Sequence, residues 1–407
     1  MARCCDRKVS SGDRCSPGIK ILLTFLFVKI DVSLGVTLLN GLVHKFRSFR
    51  NLNVHLDPFI LFQSSASLIF FTFLLIIPLA SIISAAFLYN NQLSLHWFFS
   101  IFSDRYFFNI AGGSGHLFDV FGDIMYVWGI DHGIILNTLS VAVTVTVLSS
   151  FLGLVTAFIM ARYTFPGKNI FRIALNIPML ATPFVNAYVL GKIFHPRNGF
   201  VNILFYDILH LFPYRIDLNG LIGIILAQTL SYFPIVYLNV FSSIVSIDPS
   251  LEEQAENLGA KGFTLFRKVT FPLSMPGLTA GAIIAFIFSM EDLAGPIGFI
   301  GYSGNPMAKK VVSYYIFQSF TEAFQGAITP ETAALSVILL SLSMIGFVVI
   351  KRYVSLKAYA TLSKGGRWVS RVRPPGRIGS IIIFVFLVLL VVVSSCLLYT
   401  SPSPRDS

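Results

Sequence analysis

The densest run of residues able to do chemistry opens with Asp248-Pro249-Ser250-Leu251-Glu252-Glu253 and continues to Pro272. Asp as an N-cap, Pro at the first helical position and acids in the first turn all fit a helix start, where unpaired N–H groups and the positive dipole end lie. Leu251, Ala255 and Leu258 fall at i, i+4 and i+7 and form one apolar stripe. Gly259 and Gly262 give the helix places to stop, with Lys261 near its negative end. Arg267 and Lys268 follow as a connector, then Pro272 and Pro276. The reading is a short amphipathic helix, rigidly joined to the apolar run behind it. A second candidate pair is Glu291 and Asp292, at the end of that apolar run. Carboxylates at a membrane boundary are functional candidates for a solute pathway, although many simply face water or headgroups. Asp131 beside His132 is the nearest approach to a catalytic cluster, and it lacks further partners. Cys4, Cys5 and Cys15 have no fourth ligand at a zinc-like spacing. The Gly-rich Ala111–Gly115 neither follows a strand nor opens a helix, so it reads as an external loop. No Walker A pattern occurs, so this chain is not an ATP-hydrolysing enzyme.

The elements that position these residues follow from composition. The 407 residues are 55% hydrophobic and 12% charged, with a mean hydropathy of +0.76. A soluble domain carries about 25% charged residues, so lipid is the solvent for most of this chain. Charge-free stretches of membrane-crossing length are centred at 59–87, His132–Ala161, Ile173–Gly191, Leu218–Ile247, Val269–Met290 and Thr332–Ile350, with a seventh after Arg377. None alternates with the period of a barrel strand. Leu293–Pro306 is too short and too rich in Gly and Pro to cross. Ile19–Val43 is interrupted by Lys29 and Asp31 and reads as an interfacial helix or an upstream extension. With the N-terminus inside, twenty-three Lys and Arg lie in inside segments and six outside, against ten outside acids. That satisfies the positive-inside rule and explains the net charge of +11 without a nucleic-acid partner.

The loop 248–272, which this topology places in the cytoplasm, resembles the coupling motif of binding-protein-dependent ABC transporter permeases of the type I importer class. That motif reads Glu-Ala-Ala, three residues, Gly, nine residues, Ile-x-Leu-Pro. Glu253, Ala255, Gly259, Val269, Phe271 and Pro272 match it, and Gln254 departs from the usual Ala. Asn137-Thr138-Leu139, the stretch Ala157–Gly167, and Pro178, Pro183 and Pro234 are similar to further family features over about residues 60–350. The resemblance implies an all-α polytopic fold with a six-span permease core, in the bacterial inner membrane. It implies partners: a cytoplasmic ATP-binding subunit dimer, a periplasmic substrate-binding protein and a second permease half. It implies no cofactor on this chain, since ATP and magnesium belong to the ATPase. Glu253 and Glu256 would contact that ATPase, with Ala255 and Gly259 permitting close approach.

Expected domains are a cytoplasmic or interfacial segment 1–58, a six-span domain 59–350 containing the coupling loop, a basic cytoplasmic linker 351–377, and the first span of a truncated second half, 378–395. Residues 396–407 resemble the in-frame translation of a sequencing adapter and read as an artefact. Fused two-half permeases of this kind are similar to the ferric-iron transport group. Ser289–Pro296 and Ala333–Ser336 carry that likeness, so ferric iron is the expected cargo, with thiamine, polyamine or phosphonate as alternatives. A secondary transporter, the rival class, would need ionisable groups deep in several spans, and the span centres have none.

Overall fold

A computed structural model describes residues 58–90, 92–110, 117–180, 183–303, 306–323, 329–354, 372 and 374–399. The expected helix Ile19–Val43, the three N-terminal cysteines, Ala111–Gly115, most of the basic linker and residues 400–407 lie outside these. Contacts divide the chain into two units at Ile76 and Ile77. The described part of the first is helix α1 (Pro58–Phe71) followed by a π-helical turn, Thr72–Ile76.

The second unit begins with α2 (Ile77–Phe87), a hairpin of β1 (Leu88–Tyr89) and β2 (Gln92–Leu93), and α3 (His96–Ser103). Strands β3 (Phe118–Phe121) and β4 (Ile124–Val127) precede α4 (Ile134–Arg162). Then come α5 (Lys168–Ala174), α6 (Ile177–Leu180) and α7 (Pro183–Ile193), followed by β5 (Arg215–Leu218). The remaining helices are α8 (Gly220–Val245), α9 (Pro249–Asn257), α10 (Phe271–Glu291), α11 (Ala294–Ser303), α12 (Val312–Glu322), α13 (Pro330–Val354) and α14 (Arg377–Tyr399). Among the described residues five helices are long and apolar enough to cross a membrane, or six if one bent pair is a single span.

Three features differ from the sequence reading. The third expected span is broken: Lys168–Met179 and Pro183–Ile193 meet at a 97° bend. Pro183, which has no N–H to donate to a preceding turn, opens α7 just past the bend. Leu293–Pro306, expected as a loop, contains α11. Gly298 is a packing position rather than a breaker: a Cβ there would lie 2.7 Å from Ala187 Cβ and from the Phe184 carbonyl of α7. Finally, β3 pairs antiparallel with β4, and β4 parallel with β5, Ile124 opposite Arg215. These strands sit in connectors, where water can satisfy a sheet edge that lipid could not.

Helix α8 is the most buried of the spans and packs against α4, α10 and α7. Gly153 of α4 and Gly281 of α10 allow this approach, since a Cβ on either would come within 2.7 Å of Val236. The start of α4 is pinned from outside. Asn137 Nδ2 donates to Asp131 Oδ1 at 2.9 Å and to the Lys310 carbonyl at 3.2 Å, and Thr138 Oγ1 accepts from Val312 N at 2.9 Å. Asp131 is ion-paired with Lys310, so the Asp131-His132 pair belongs to a structural clasp. Helix α14 lays Ile383, Leu387, Leu390 and Ser394, all buried, toward the α5–α7 region.

Candidate functional site

The loop 248–272 folds as its residues dictate. Asp248 Oδ1 accepts from Ser250 N at 2.8 Å, Pro249 takes the first helical position, and α9 runs to Asn257. Its end is a Schellman turn: Ala260 N donates to the Ala255 carbonyl and Gly259 N to the Glu256 carbonyl, both at 2.9 Å. Gly259 has φ +89°, and a Cβ there would meet nothing within 4 Å. Its glycine therefore serves the left-handed turn that stops the helix, as the sequence reading expected, and it leaves that surface open. Glu253, Gln254 and Gly259 are exposed, and Ala255, Val269, Phe271 and Pro272 are half-buried. The apolar stripe lies open, with Leu251 44% and Leu258 88% exposed.

The membrane helix behind the loop begins earlier than the sequence placed it, at Phe263. A π-helical segment, Phe266–Thr270, immediately precedes α10. The wider turn lies where the Pro272 ring would clash with the carbonyl four residues back in α-geometry.

The residue that joins these parts is Glu252, which the sequence reading passed over for its neighbour Glu253. Glu252 is 3% exposed. Its Oε1 is ion-paired with the Arg162 guanidinium at the C-terminal end of α4, and it accepts from Thr270 Oγ1 at 2.8 Å. One carboxylate thus ties α9 to α4 and to the root of α10. A cavity of about 550 Å³ adjoins this junction, walled by Phe151, Phe158, Tyr163, Phe263 and Phe266. The only sequence signal was an acidic pair in one connector and an Arg in another, ninety positions apart.

Glu291 and Asp292 separate. Glu291 is exposed. Asp292 turns inward and caps α11, accepting from Ala294 N and Gly295 N at 3.1 Å each. Its Oδ2 also accepts from Gln228 Nε2 of α8 at 2.8 Å, and Gln228 Oε1 accepts from Ser289 Oγ at 2.5 Å. Three positions along α8, Ser231 Oγ accepts from Asn186 Nδ2 of α7 at 2.6 Å. Among the described residues no three His, Cys, Asp or Glu are grouped to hold a metal.

Comparison with known proteins gives one answer at family level. Residues 149–358 match the family described as binding-protein-dependent transport system inner membrane component. The molybdenum transport system permease protein ModB of Haemophilus influenzae is 28% identical over 232 residues, 56% of this chain and 95% of that protein. The Escherichia coli ModB is 30% identical over 41% of this chain and 70% of its own length. The E. coli spermidine/putrescine transport system permease protein PotC is 28% identical over 51% and 69%. In fold, the chain is similar to a bacterial ABC transporter for import of the acidic polysaccharide alginate, with a TM-score of 0.55, 14% identity, and coverage of 78% of this chain and 100% of that one. The family match spans the broken third span, α8, the coupling loop, α10 and α13 together. The chain belongs to the binding-protein-dependent transport system inner membrane component family, as a membrane-spanning permease subunit.

Proposed function

We propose that this chain couples a cytoplasmic ATPase to solute movement through the loop 248–272. The ATPase seats on the exposed face of α9, around Glu253, Gln254, Ala255 and the Leu251–Leu258 stripe. Displacement of α9 is carried to α4 and α10 through Glu252, Arg162 and Thr270. The observation that carries this reading is the buried Arg162–Glu252–Thr270 junction: a helix resting passively on a membrane surface needs no such tie. A dimer of ATP-binding subunits, a periplasmic binding protein and a second permease half, fused beyond the linker 351–377, complete the importer.

For cargo, the likeness of Ser289–Pro296 and Ala333–Ser336 to the ferric-iron group is set against relatives named for molybdenum and for spermidine and putrescine. The polyamine reading has a structural observation behind it, developed in the next section. The coupling reading is tested with Gly259→Trp in cells carrying the whole importer. Coupled transport is lost while membrane insertion is retained; unchanged transport would overturn the assignment.

A further inference from the structure

Polar side chains from three helices meet inside the apolar body of the second unit. Asn186 is 0% exposed, Gln228 1%, Ser231 4% and Ser289 3%. Their hydrogen bonds have a fixed polarity. Ser231 Oγ donates to the Ala227 carbonyl at 2.8 Å and so accepts from Asn186 Nδ2. That orients the Asn186 amide and leaves its Oδ1 buried without a hydrogen-bond partner. Ser289 donates to Gln228 Oε1, and Gln228 Nε2 donates to Asp292 Oδ2. Asp292 takes two backbone N–H groups besides, which leaves part of a carboxylate's about four acceptor sites open. One residue beyond Ser231, the Tyr232 ring stands edge-on to Phe288, centroids 5.9 Å apart.

The surplus of this cluster is therefore acceptor oxygen, with one carboxylate and no Lys or Arg among its members. A buried acceptor without a donor is destabilising, and polar groups at this depth in a bundle mark solute routes. We propose that Asn186, Gln228, Ser231, Tyr232, Ser289 and Asp292 form the cargo site, closed on itself in this conformation, and that the cargo is an organic ammonium ion of the polyamine type. This rests on the importer reading above. An ammonium ion brings N–H donors to Asn186 Oδ1 and Asp292, and the aromatic ring of Tyr232, next to Ser231, adds an electron-rich neighbour of the kind that holds organic cations. An oxyanion such as molybdate or sulfate brings acceptors alone and meets a carboxylate. The connectors assigned outside carry ten acids against six bases, a balance that concentrates cations at that face. Apart from Asp292 the contacts are neutral, so the site holds the cargo weakly enough to release it.

The test is binding of radiolabelled spermidine to the full chain in lipid nanodiscs, with putrescine, molybdate and sulfate as competitors at matched ionic strength. Saturable binding is displaced by putrescine and not by the two oxyanions. Asn186→Leu and Asp292→Asn each weaken it by about tenfold, the loss expected for one hydrogen bond to a charged group. Asn is itself a good N-cap, so Asp292→Asn keeps α11 in place, and an unchanged melting temperature verifies this. Absence of saturable spermidine binding, equal displacement by molybdate, or unchanged affinity in both variants overturns the proposal. The importer reading fails separately, on Gly259→Trp in the transport assay, because spermidine binding needs no ATPase.

Discussion

At the scale of single residues, the difference between Glu252 and Glu253 decides how the proposed coupling through the loop 248–272 would work. Both are acids near the start of one helix, and only the fold turns one inward onto Arg162. Removing one member of a buried ion pair leaves the other charge unpaired, at a cost of about 3–5 kcal/mol. Glu252→Ala is therefore expected to lower the melting temperature sharply and abolish coupled transport. The double variant Arg162→Met with Glu252→Leu recovers most of the stability, since apolar replacement of both partners is often neutral. Should its transport recover too, the pair would be only a structural tie. Gly259 makes a quieter test: with φ +89°, Gly259→Ala costs about 1–2 kcal/mol and Gly259→Asn less, because Asn tolerates the left-handed region. Two acids in the outer connectors predict opposite responses to pH. Burial pushes the Asp217 carboxyl up, more than Asn219 and the charge of His195 pull it down. The native state thus holds this proton more tightly than the unfolded chain, and stability falls as pH rises through the raised value. Asp217→Asn should raise the melting temperature at neutral pH and have no effect in acid. For Asp131, burial also pushes upward, but hydrogen bonds from Lys310, Asn137 and Gly133 outweigh it and hold the group low. Its contribution is present above the usual carboxylate range and is lost as pH falls through the depressed value, so Asp131→Asn destabilises at neutral pH.

At the scale of elements, much was legible because lipid imposes a length. Charge-free runs of membrane-crossing size mark α4, α8, α10 and α13, and Asp248-Pro249 marks the start of α9. What was not legible came from letters with two meanings. A proline in an apolar run can kink a helix or divide it. Pro183 opens a new helix just past the bend, while Pro234 sits inside a continuous α8, because what lies beside the proline decides. Glycine is ambiguous in the same way: in 293–306 it looks like a breaker, yet Gly298 is where α11 meets α7. The candidate site suffered from a third cause, sequence distance. Gln228 and Ser289 are 61 positions apart and Asn186 and Ser231 are 45 apart, so no local pattern joins them. The packing account has a direct test. Gly298→Val drives methyl groups into Ala187 and the Phe184 carbonyl, and overpacking of this kind costs about 1–3 kcal/mol. Its melting temperature should fall, and α7 should lose protection from hydrogen exchange. A wild-type melting curve would mean that the two helices do not meet at that glycine.

At the scale of the whole molecule, direction across the membrane is what turns these parts into an importer. An ATPase reaches α9 only if the coupling loop is cytoplasmic. The cargo cluster, near the other end of α10 from that loop, then lies toward the outside. Charge carries the argument, since Lys and Arg crowd the segments assigned inside and acids outnumber bases in those assigned outside. The two faces also differ in build. The connectors assigned outside carry the small sheet β3–β4–β5 and the Asp131–Lys310 clasp, whereas 248–262 holds one short helix with an exposed apolar stripe. An outer face braced in this way suits docking of a soluble protein, and an open stripe on the inner face suits a partner that moves. Single cysteines in a background with the four native cysteines replaced test the direction. A membrane-impermeant maleimide should label Arg197→Cys in intact cells and reach Lys261→Cys only after permeabilisation. The reverse pattern would put α9 outside, out of reach of any cytoplasmic ATPase, and would remove the coupling reading while leaving the fold and the polar cluster where they are.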